Sequence, residues 1–211
     1  MPPAPLPPPT PPRPAPPTTL AALALQPDLA RASGWLQRMQ SALQIEPTCL
    51  GAAVVGSLAA GRGDAMSDVD LVVYCQTASA ARLRDRLQRI AADRPVVHRF
   101  EGVHDAHSVF EKVILDDWFA YEMHFVEPTT RMRLQPPYLA LVDAGQHLRQ
   151  RESQDKPLGR DTLKPYAWGD AGLVWELFNC MKWLRRGETD DAAAFLRRLG
   201  EAIATQRPPE R

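Results

Sequence analysis

The chain has few cysteines, and those it has do not form a recognisable set. Its 211 residues include only Cys49, Cys75 and Cys180, an odd number without the close pairs of a metal-binding motif. The sequence therefore predicts neither a disulfide framework nor a cysteine-based zinc site. Reduced thiols indicate a cytoplasmic location.

The chain also lacks an excess of charge and a long apolar run. Its 25 basic residues balance 25 acidic ones, for a formal net charge of +0. A protein that grips long nucleic acid needs a basic surface, so we do not expect such a partner. Residues 20–25 are too few to cross a membrane and follow no charged leader, so we predict no membrane segment and no signal peptide.

Proline is concentrated at the start of the chain, where the first seventeen residues contain eleven. Such a run forms neither helix nor sheet and samples the polyproline II conformation. We predict a disordered tail over residues 1–18; a ligand for a proline-binding partner is the weaker alternative. The remaining residues suit one medium-sized domain, or a core domain with an appendage.

The first half of the remaining chain mixes helical and strand-like patterns. Apolar residues at helical spacing predict helices over residues 28–43 and 78–92. Short apolar runs predict strands over residues 50–55, 71–74 and 96–100. Helices and strands of this kind are typical of an α+β core.

The second half begins with a predicted hairpin and ends in helices. Two apolar runs, 107–115 and 118–126, are joined by a pair of aspartates, while residues 138–142 are compatible with a strand or a helical turn. A helix that begins at Asp161 or Gly169 is followed by another over residues 190–205. The pattern predicts a small mixed or antiparallel sheet flanked by helices, followed by a helical C-terminal module.

Residues 56–71 are the most informative segment, because they combine a Gly-Ser turn with two spaced acids between two apolar runs. Side chains two apart in a strand point the same way, so Asp68 and Asp70 project together, about 7 Å apart. A hard divalent cation such as Mg²⁺ relieves their repulsion. Gly56 allows a ligand close to the backbone, and the Ser57 hydroxyl and free amides can bind phosphate oxygens.

This segment resembles the motif of nucleotidyltransferases related to DNA polymerase beta, which is a Gly-Ser pair, a downstream glycine and then Ser-Asp-x-Asp-Leu. Gly56, Ser57, Gly61 and residues 67–71 match it in order and spacing. Many small members have arginine just before the second glycine. Here Ala60 takes that place.

The resemblance implies a metal-dependent enzyme that transfers a nucleoside monophosphate from a nucleoside triphosphate, ATP being the expected one. Asp68 and Asp70 would hold one or two Mg²⁺ ions. Gly56 and Ser57 would hold the terminal phosphates, and Ser67 and Arg62 are further candidates for nucleotide binding. The predicted catalytic domain covers residues 28–135, and the helical module covers 136–206.

Members of this superfamily carry a third acidic ligand on a later strand. In residues 118–126 the large apolar side chains alternate with Glu122 and His124, and Glu122 is the one acid within the run. We therefore assign the third metal-ligand role to Glu122, which could instead act as a base toward the acceptor. Asp116 and Asp117 remain alternatives, although aspartates are common in hairpin turns.

The acceptor is less well defined than the reaction. In antibiotic-modifying members a helical module after the catalytic domain helps to bind the acceptor, so we expect a small molecule with a hydroxyl group, such as an aminoglycoside. A homodimer in which a second copy completes the acceptor cleft is left open. The alternatives are a toxin–antitoxin-type enzyme that modifies a partner protein, and a catalytically silent module that binds a nucleotide or a protein.

Overall fold

The structure of the protein is a computed structural model that describes residues 19–130, 132–153 and 164–206. The predicted proline-rich tail, residues 1–18, lies outside the described residues. So does Asp161, one of the two predicted starts of the long C-terminal helix.

A six-stranded mixed sheet forms the centre of the molecule, in the spatial order β3-β4-β5-β2-β1-β6. Strands β2 and β5 are parallel, and the other neighbouring pairs are antiparallel. The strands are β1 (Cys49–Val55), β2 (Val69–Cys75), β3 (Val96–Asp105), β4 (Ser108–Leu115), β5 (Ala120–Val126) and β6 (Leu139–Asp143).

Helices flank this sheet and form the C-terminal part of the described chain, so the predicted α+β fold is confirmed. None of the described helices is both long and apolar enough to cross a membrane. The α-helices are α1 (Leu20–Ala24), α2 (Ala30–Gln44), α3 (Gly56–Ala59), α4 (Ala80–Ala91), α5 (His147–Gln150), α6 (Gly169–Arg185) and α7 (Thr189–Gln206).

Helices α2 and α4 cover one face of the sheet and form the main core with it. Trp35 of α2 is fully buried, and its indole N–H donates a 2.9 Å hydrogen bond to the Ala91 carbonyl at the end of α4. Its ring also lies 4.9 Å from the ring of Tyr121 on β5. Trp35 therefore joins α2 both to α4 and to the sheet. Burial of a large apolar side chain contributes about 1.5–3 kcal/mol to stability.

The alternation of side chains along β5 determines what the opposite face carries. Tyr121, Met123 and Phe125 all belong to the main core. Since neighbouring side chains of a strand point to opposite faces, Glu122 and His124 lie on the other face. The predicted division of this strand into an aromatic core face and a polar face is confirmed.

Helix α6 packs on that other face. Trp175 and Phe178 form a buried cluster with Ile114 of β4 and Ala120 of β5. Helix α7 packs on α6 through a separate cluster that includes Trp183 and Phe195, whose ring centroids are 5.4 Å apart. The C-terminal helices therefore lie directly over the strands that carry the polar residues.

Some elements differ from their predictions. Strand β3 extends to Asp105, beyond the predicted end at residue 100, because its pairing with β4 continues to Asp105. Its side chains there are mostly exposed and show no apolar alternation that could have predicted this. Ile90, in the range of the predicted helix 78–92, is 37 % exposed although its spacing from Leu83 and Leu87 suits the apolar face. The ambiguous residues 138–142 lie largely in β6, which pairs with β1, so part of the range predicted as a helical module is a strand of the sheet.

Candidate active site

The Gly-Ser turn lies directly against the second acid of the predicted motif. Gly56 follows β1 with a φ of 70°, and a Cβ atom at this position would come 2.1 Å from Asp70 Oδ2. Val55 pairs with Asp70 in the β1–β2 ladder, which fixes this approach. A glycine is needed here both for its positive φ and for the space it leaves to the Asp70 carboxylate.

Asp70 and Glu122 are direct neighbours across the parallel pair β2–β5. Their strands lie about 4.8 Å apart, so the two side chains share one face and one level of the sheet. Asp68 lies just before β2. Burial, together with the nearby charges of Asp68 and Glu122, raises the pKa of Asp70 well above its ordinary value.

Two lysines supply positive charge to this acidic cluster. Lys182 Nζ of α6 lies 2.8 Å from Asp68 Oδ1, and Lys112 Nζ of β4 lies 2.8 Å from Glu122 Oε2. Both ammonium groups also contact the ring of Trp175, at 5.8 Å for Lys182 and 5.3 Å for Lys112. A buried ammonium group requires such partners, so α6 and β4 are electrostatically part of the site.

A pair of histidines continues the network on the far side of Glu122. His124 Nε2 lies 2.8 Å from Glu122 Oε1, and His124 Nδ1 lies 3.0 Å from His104 Nε2. Burial by itself would raise the pKa of Glu122, but Lys112 and His124 hold it well below its usual range. Burial, reinforced by His124, lowers the pKa of His104. Both Glu122 oxygens are therefore engaged by protein groups.

The donor set is chemically suitable for Mg²⁺, although it is not gathered around one point. Within residues 19–130, 132–153 and 164–206, no group of three histidine, cysteine, aspartate or glutamate side chains is placed to hold a metal ion. The reason is that Asp68 and Glu122 are turned toward lysines. Asp70 has no ion-pair or hydrogen-bond partner among these residues, and carboxylate oxygens are the ligands that Mg²⁺ prefers. The residues fit the ion, and their metal role stays a prediction.

The rival acids, Asp116 and Asp117, lie in the β4–β5 turn and are engaged elsewhere. Asp116 Oδ1 lies 2.6 Å from Arg94 Nε, and Asp117 Oδ2 lies 3.0 Å from Arg31 Nε. Glu122 is thus the acid of this hairpin that adjoins Asp70.

Ser67, predicted to bind nucleotide, lies in a network that joins the motif loop to the C-terminal helices. Its hydroxyl donates to Asp64 Oδ1 at 3.0 Å and accepts a hydrogen bond from Arg186 Nη2 at 3.2 Å. The Arg186 guanidinium also donates to both Asp64 oxygens, at 2.7 and 2.8 Å. No local sequence signal indicates this contact, because it joins residues 122 positions apart.

Two cavities flank the acidic cluster. One, of about 360 Å³, is bounded by Gly56, Arg62 and Arg133 together with apolar side chains. Ser57 is the residue after Gly56, and its hydroxyl makes no hydrogen bond to the described residues. The other, of about 250 Å³, is lined by Lys112 and by five aromatic side chains, among other residues. The arrangement thus separates a cationic cavity beside the Gly-Ser turn from an aromatic one beyond Glu122.

A scan against protein-family models gives no match, and a search of curated proteins finds none either.

Proposed function

We propose that this protein is a metal-dependent nucleotidyltransferase. It would transfer a nucleoside monophosphate from a nucleoside triphosphate, with ATP expected, to a hydroxyl of a small-molecule acceptor and release pyrophosphate. The observation that carries this proposal is the pairing of Asp70 with Glu122 across β2 and β5, with Asp68 adjacent and Gly56 against the Asp70 carboxylate.

Asp68, Asp70 and Glu122 would hold the Mg²⁺ ion or ions. When bound, Mg²⁺ supplies positive charge to the phosphoryl oxygens, where negative charge develops during transfer. The chain itself contributes the phosphate site: the Gly56 turn lets the triphosphate approach the backbone, and the Ser57 hydroxyl is available to donate.

Arg62 adds positive charge to the cavity that Gly56 bounds, and so does Arg133. Guanidinium groups bind phosphate oxygens in a bidentate manner and orient them. This reaction depends mainly on positioning and electrostatics, so no covalent nucleophile is required.

Glu122 suits a metal ligand better than a general base. Both its oxygens lie 2.8 Å from cationic or hydrogen-bonding nitrogens, and its pKa lies well below its usual range. A base with so low a proton affinity accepts a proton poorly at neutral pH. Lys112 and His124 would instead keep the carboxylate ionised and oriented.

The second candidate is a catalytically silent module that binds a nucleotide or a protein. The observation that favours it is the pairing of Asp68 and Glu122 with Lys182 and Lys112, which occupies two of the three carboxylates. The alternative enzymatic function is modification of a partner protein, as in toxin–antitoxin pairs. The aromatic cavity, of about 250 Å³, favours a small acceptor over a protein partner.

The test is incubation of the full-length protein with Mg²⁺, each labelled nucleoside triphosphate and a panel of small hydroxyl compounds and proteins. We expect pyrophosphate release and a labelled small-molecule product. Asp70→Asn should abolish both, whereas Asp85→Asn, a surface change on α4, should leave them intact. Triphosphate binding without turnover under any condition would favour the silent module and refute the enzyme.

We also propose a cytoplasmic location. Cys49, Cys75 and Cys180 are all buried free thiols in the fold. Free thiols persist in reducing compartments, which supports this placement.

A further inference from the structure

The aromatic cavity beside Lys112 has the chemistry of a binding site for a flat ring. It lies between the β3–β4 edge of the sheet and helices α6 and α7, and its volume is about 250 Å³. Its lining includes five aromatic side chains, which are Phe100, Trp168, Trp175, Trp183 and Phe195. Aromatic rings prefer offset or edge-to-face partners, so a planar ligand is the natural occupant.

Trp168 is held at this cavity by the surrounding structure. Its ring packs edge-on against Phe110 at 4.9 Å and against Phe100 at 5.7 Å. A Cβ atom at Gly172, one turn further along α6, would come 2.9 Å from Trp168 Cβ. The glycine thus makes room for the indole, which is nonetheless 41 % exposed and available to a ligand.

The polar groups of the cavity do not suit a polycation. Lys112 and Lys164 line it, against Glu176 as the acidic member of the lining. One Glu176 oxygen already accepts a 3.0 Å hydrogen bond from the Tyr166 backbone N–H. Asn179 also lines the cavity, and its amide makes no hydrogen bond to the described residues, so it can bind a hydroxyl or ring heteroatom.

The position of the cavity relative to the Gly-Ser turn indicates which substrate it holds. Across the sheet, Gly56 follows β1, Asp70 lies on β2, Glu122 on β5 and Lys112 on β4. Three strand spacings, about 14 Å, therefore separate the two ends of this row. In nucleotidyl transfer the attacking and leaving oxygens lie in line on opposite sides of the α-phosphorus.

With pyrophosphate leaving beside Gly56, the acceptor must enter from the Glu122 side, and Lys112, the ion-pair partner of Glu122, lines the aromatic cavity. We propose that this cavity binds the acceptor, and that the acceptor is a neutral or anionic aromatic compound with a hydroxyl group rather than a polycationic aminoglycoside. This inference rests on the proposed function. The acceptor oxygen forms a bond to the α-phosphorus as the bond to the pyrophosphate oxygen breaks, and the hydroxyl proton passes to solvent.

The test uses the full-length protein with 2-naphthol as a flat neutral probe, kanamycin as a polycation, and ATP with Mg²⁺. Calorimetry should show binding of 2-naphthol that Trp168→Ala weakens about tenfold or more, because stacking is lost. Asn179→Leu, a second variant in the lining, should weaken it severalfold. Trp118→Ala is the matched control, since Trp118 is 56 % exposed and stacks on Phe178 outside the cavity.

The affinity for ATP tests whether the cavity binds the acceptor or the adenine base of the nucleotide. We expect the affinity for ATP to stay within about twofold in Trp168→Ala, far below the loss expected for 2-naphthol. A tenfold loss of ATP affinity would assign the cavity to the nucleobase and overturn the proposal. Tighter binding of kanamycin than of 2-naphthol, or naphthol binding indifferent to both lining variants, would overturn it as well.

Transfer is measured separately, as naphthyl nucleotide and pyrophosphate formed by the wild type and absent in Asp70→Asn. Binding that depends on Trp168 together with transfer supports both proposals. Binding that depends on Trp168 without transfer to any acceptor supports the ligand class of the cavity and refutes the proposed enzyme.

Discussion

Single atoms decide the chemistry of this site, and Gly56 is the clearest case. The absence of one side-chain carbon lets the Asp70 carboxylate reach the backbone turn that precedes the motif loop. Asp70 is in turn buried, and burial together with the repulsion of two neighbouring negative charges raises its pKa well above the ordinary value. A carboxylate held under such repulsion is destabilising unless a cation binds it, as is common at functional sites.

Gly56→Ala should therefore destroy the site. The new Cβ would meet Asp70 Oδ2 at 2.1 Å and would also sit at a φ of 70°. We expect transfer activity to fall at least 100-fold and the free energy of unfolding to fall by about 1–3 kcal/mol. Steady-state kinetics and urea unfolding measure the two effects.

The control for this substitution is Gly200→Ala in α7, where nothing lies within 4 Å of the added carbon. That change should leave activity intact and raise stability by up to about 1 kcal/mol, because alanine favours the helix. An active Gly56→Ala protein would contradict the role given to the turn.

Asp70→Asn should increase stability while it abolishes activity, unlike Gly56→Ala, which should lower both. The substitution removes a buried carboxylate that two neighbouring carboxylates repel, so without metal the variant should unfold at a higher temperature than the wild type. The same change should abolish transfer. Differential scanning calorimetry in EDTA tests the first part, and a variant less stable than the wild type would show that repulsion is not the dominant effect.

Glu111 is a buried acid remote from the proposed chemistry, and it gives stability a pH dependence. Both its oxygens are buried without a hydrogen-bond partner in the part of the chain described, and burial raises its pKa to about 7 from 4.5. The folded protein therefore binds this proton more tightly than the unfolded chain. Its contribution to stability is complete below about pH 4.5 and is lost as the pH rises through about 7.

The loss amounts to about 3 kcal/mol at most for one buried group. Glu111→Gln should remove this pH dependence and make the variant more stable than the wild type at pH 8. Chemical unfolding at pH 5 and pH 8 measures the difference. Glu201→Gln, at an exposed position of α7, serves as the control, and an equal pH dependence in wild type and Glu111→Gln would refute the assignment.

At the scale of elements, the faces of the strands could be predicted from the sequence, whereas the side-chain contacts between the sheet and the helices could not. The alternation in β5 placed Glu122 opposite the aromatic core, and that placement is confirmed. Lys182 gave no such signal, because a lysine among aromatic residues of a helix identifies no partner by sequence. Its partner Asp68 lies on another element, and such pairs depend on how α6 packs on the sheet.

The same limit applies to Arg186, Asp64 and β3. The Arg186 guanidinium follows α6 and binds both oxygens of Asp64 in the motif loop. Nothing local in either segment indicates this pair. In β3 the exposed side chains after residue 100 follow no apolar pattern, so pairing with β4, and not composition, extends the strand.

The Arg186 contact should couple the motif loop to the C-terminal helices. A double-mutant cycle with Asp64→Asn and Arg186→Gln should give a coupling free energy of about 1 kcal/mol, as expected for a partly exposed bidentate pair. Both single variants should also raise the KM for the nucleotide, since the loop that follows Gly56 loses its anchor. A coupling energy near zero would show that the pair is incidental.

At the scale of the whole molecule, two layers of helices enclose one sheet, and the proposed site lies between the sheet and the second layer. A ligand that binds here contacts the folded protein only, because the unfolded chain does not bring β2, β5 and α6 together. Binding should therefore be visible as stabilisation of the entire fold.

Mg²⁺ together with ATP should raise the melting temperature accordingly. At 100 times the dissociation constant a ligand adds about 2.7 kcal/mol, which corresponds to roughly 5–10 °C for a domain of this size. Thermal unfolding with and without EDTA measures the shift. Asp70→Asn should lose the shift, and Asp85→Asn should retain it; an equal shift in all three proteins would place the binding elsewhere.

The parallel pairing of β2 with β5 also makes the acidic cluster depend on the register between these two strands. A slip of β5 by one residue would bring Tyr121 or Met123 beside Asp70 and turn Glu122 into the apolar core. Such a molecule would lose its acidic cluster and its packing in the same event. The register of β5 on β2 therefore determines the acidic cluster and the packing of the core at the same time.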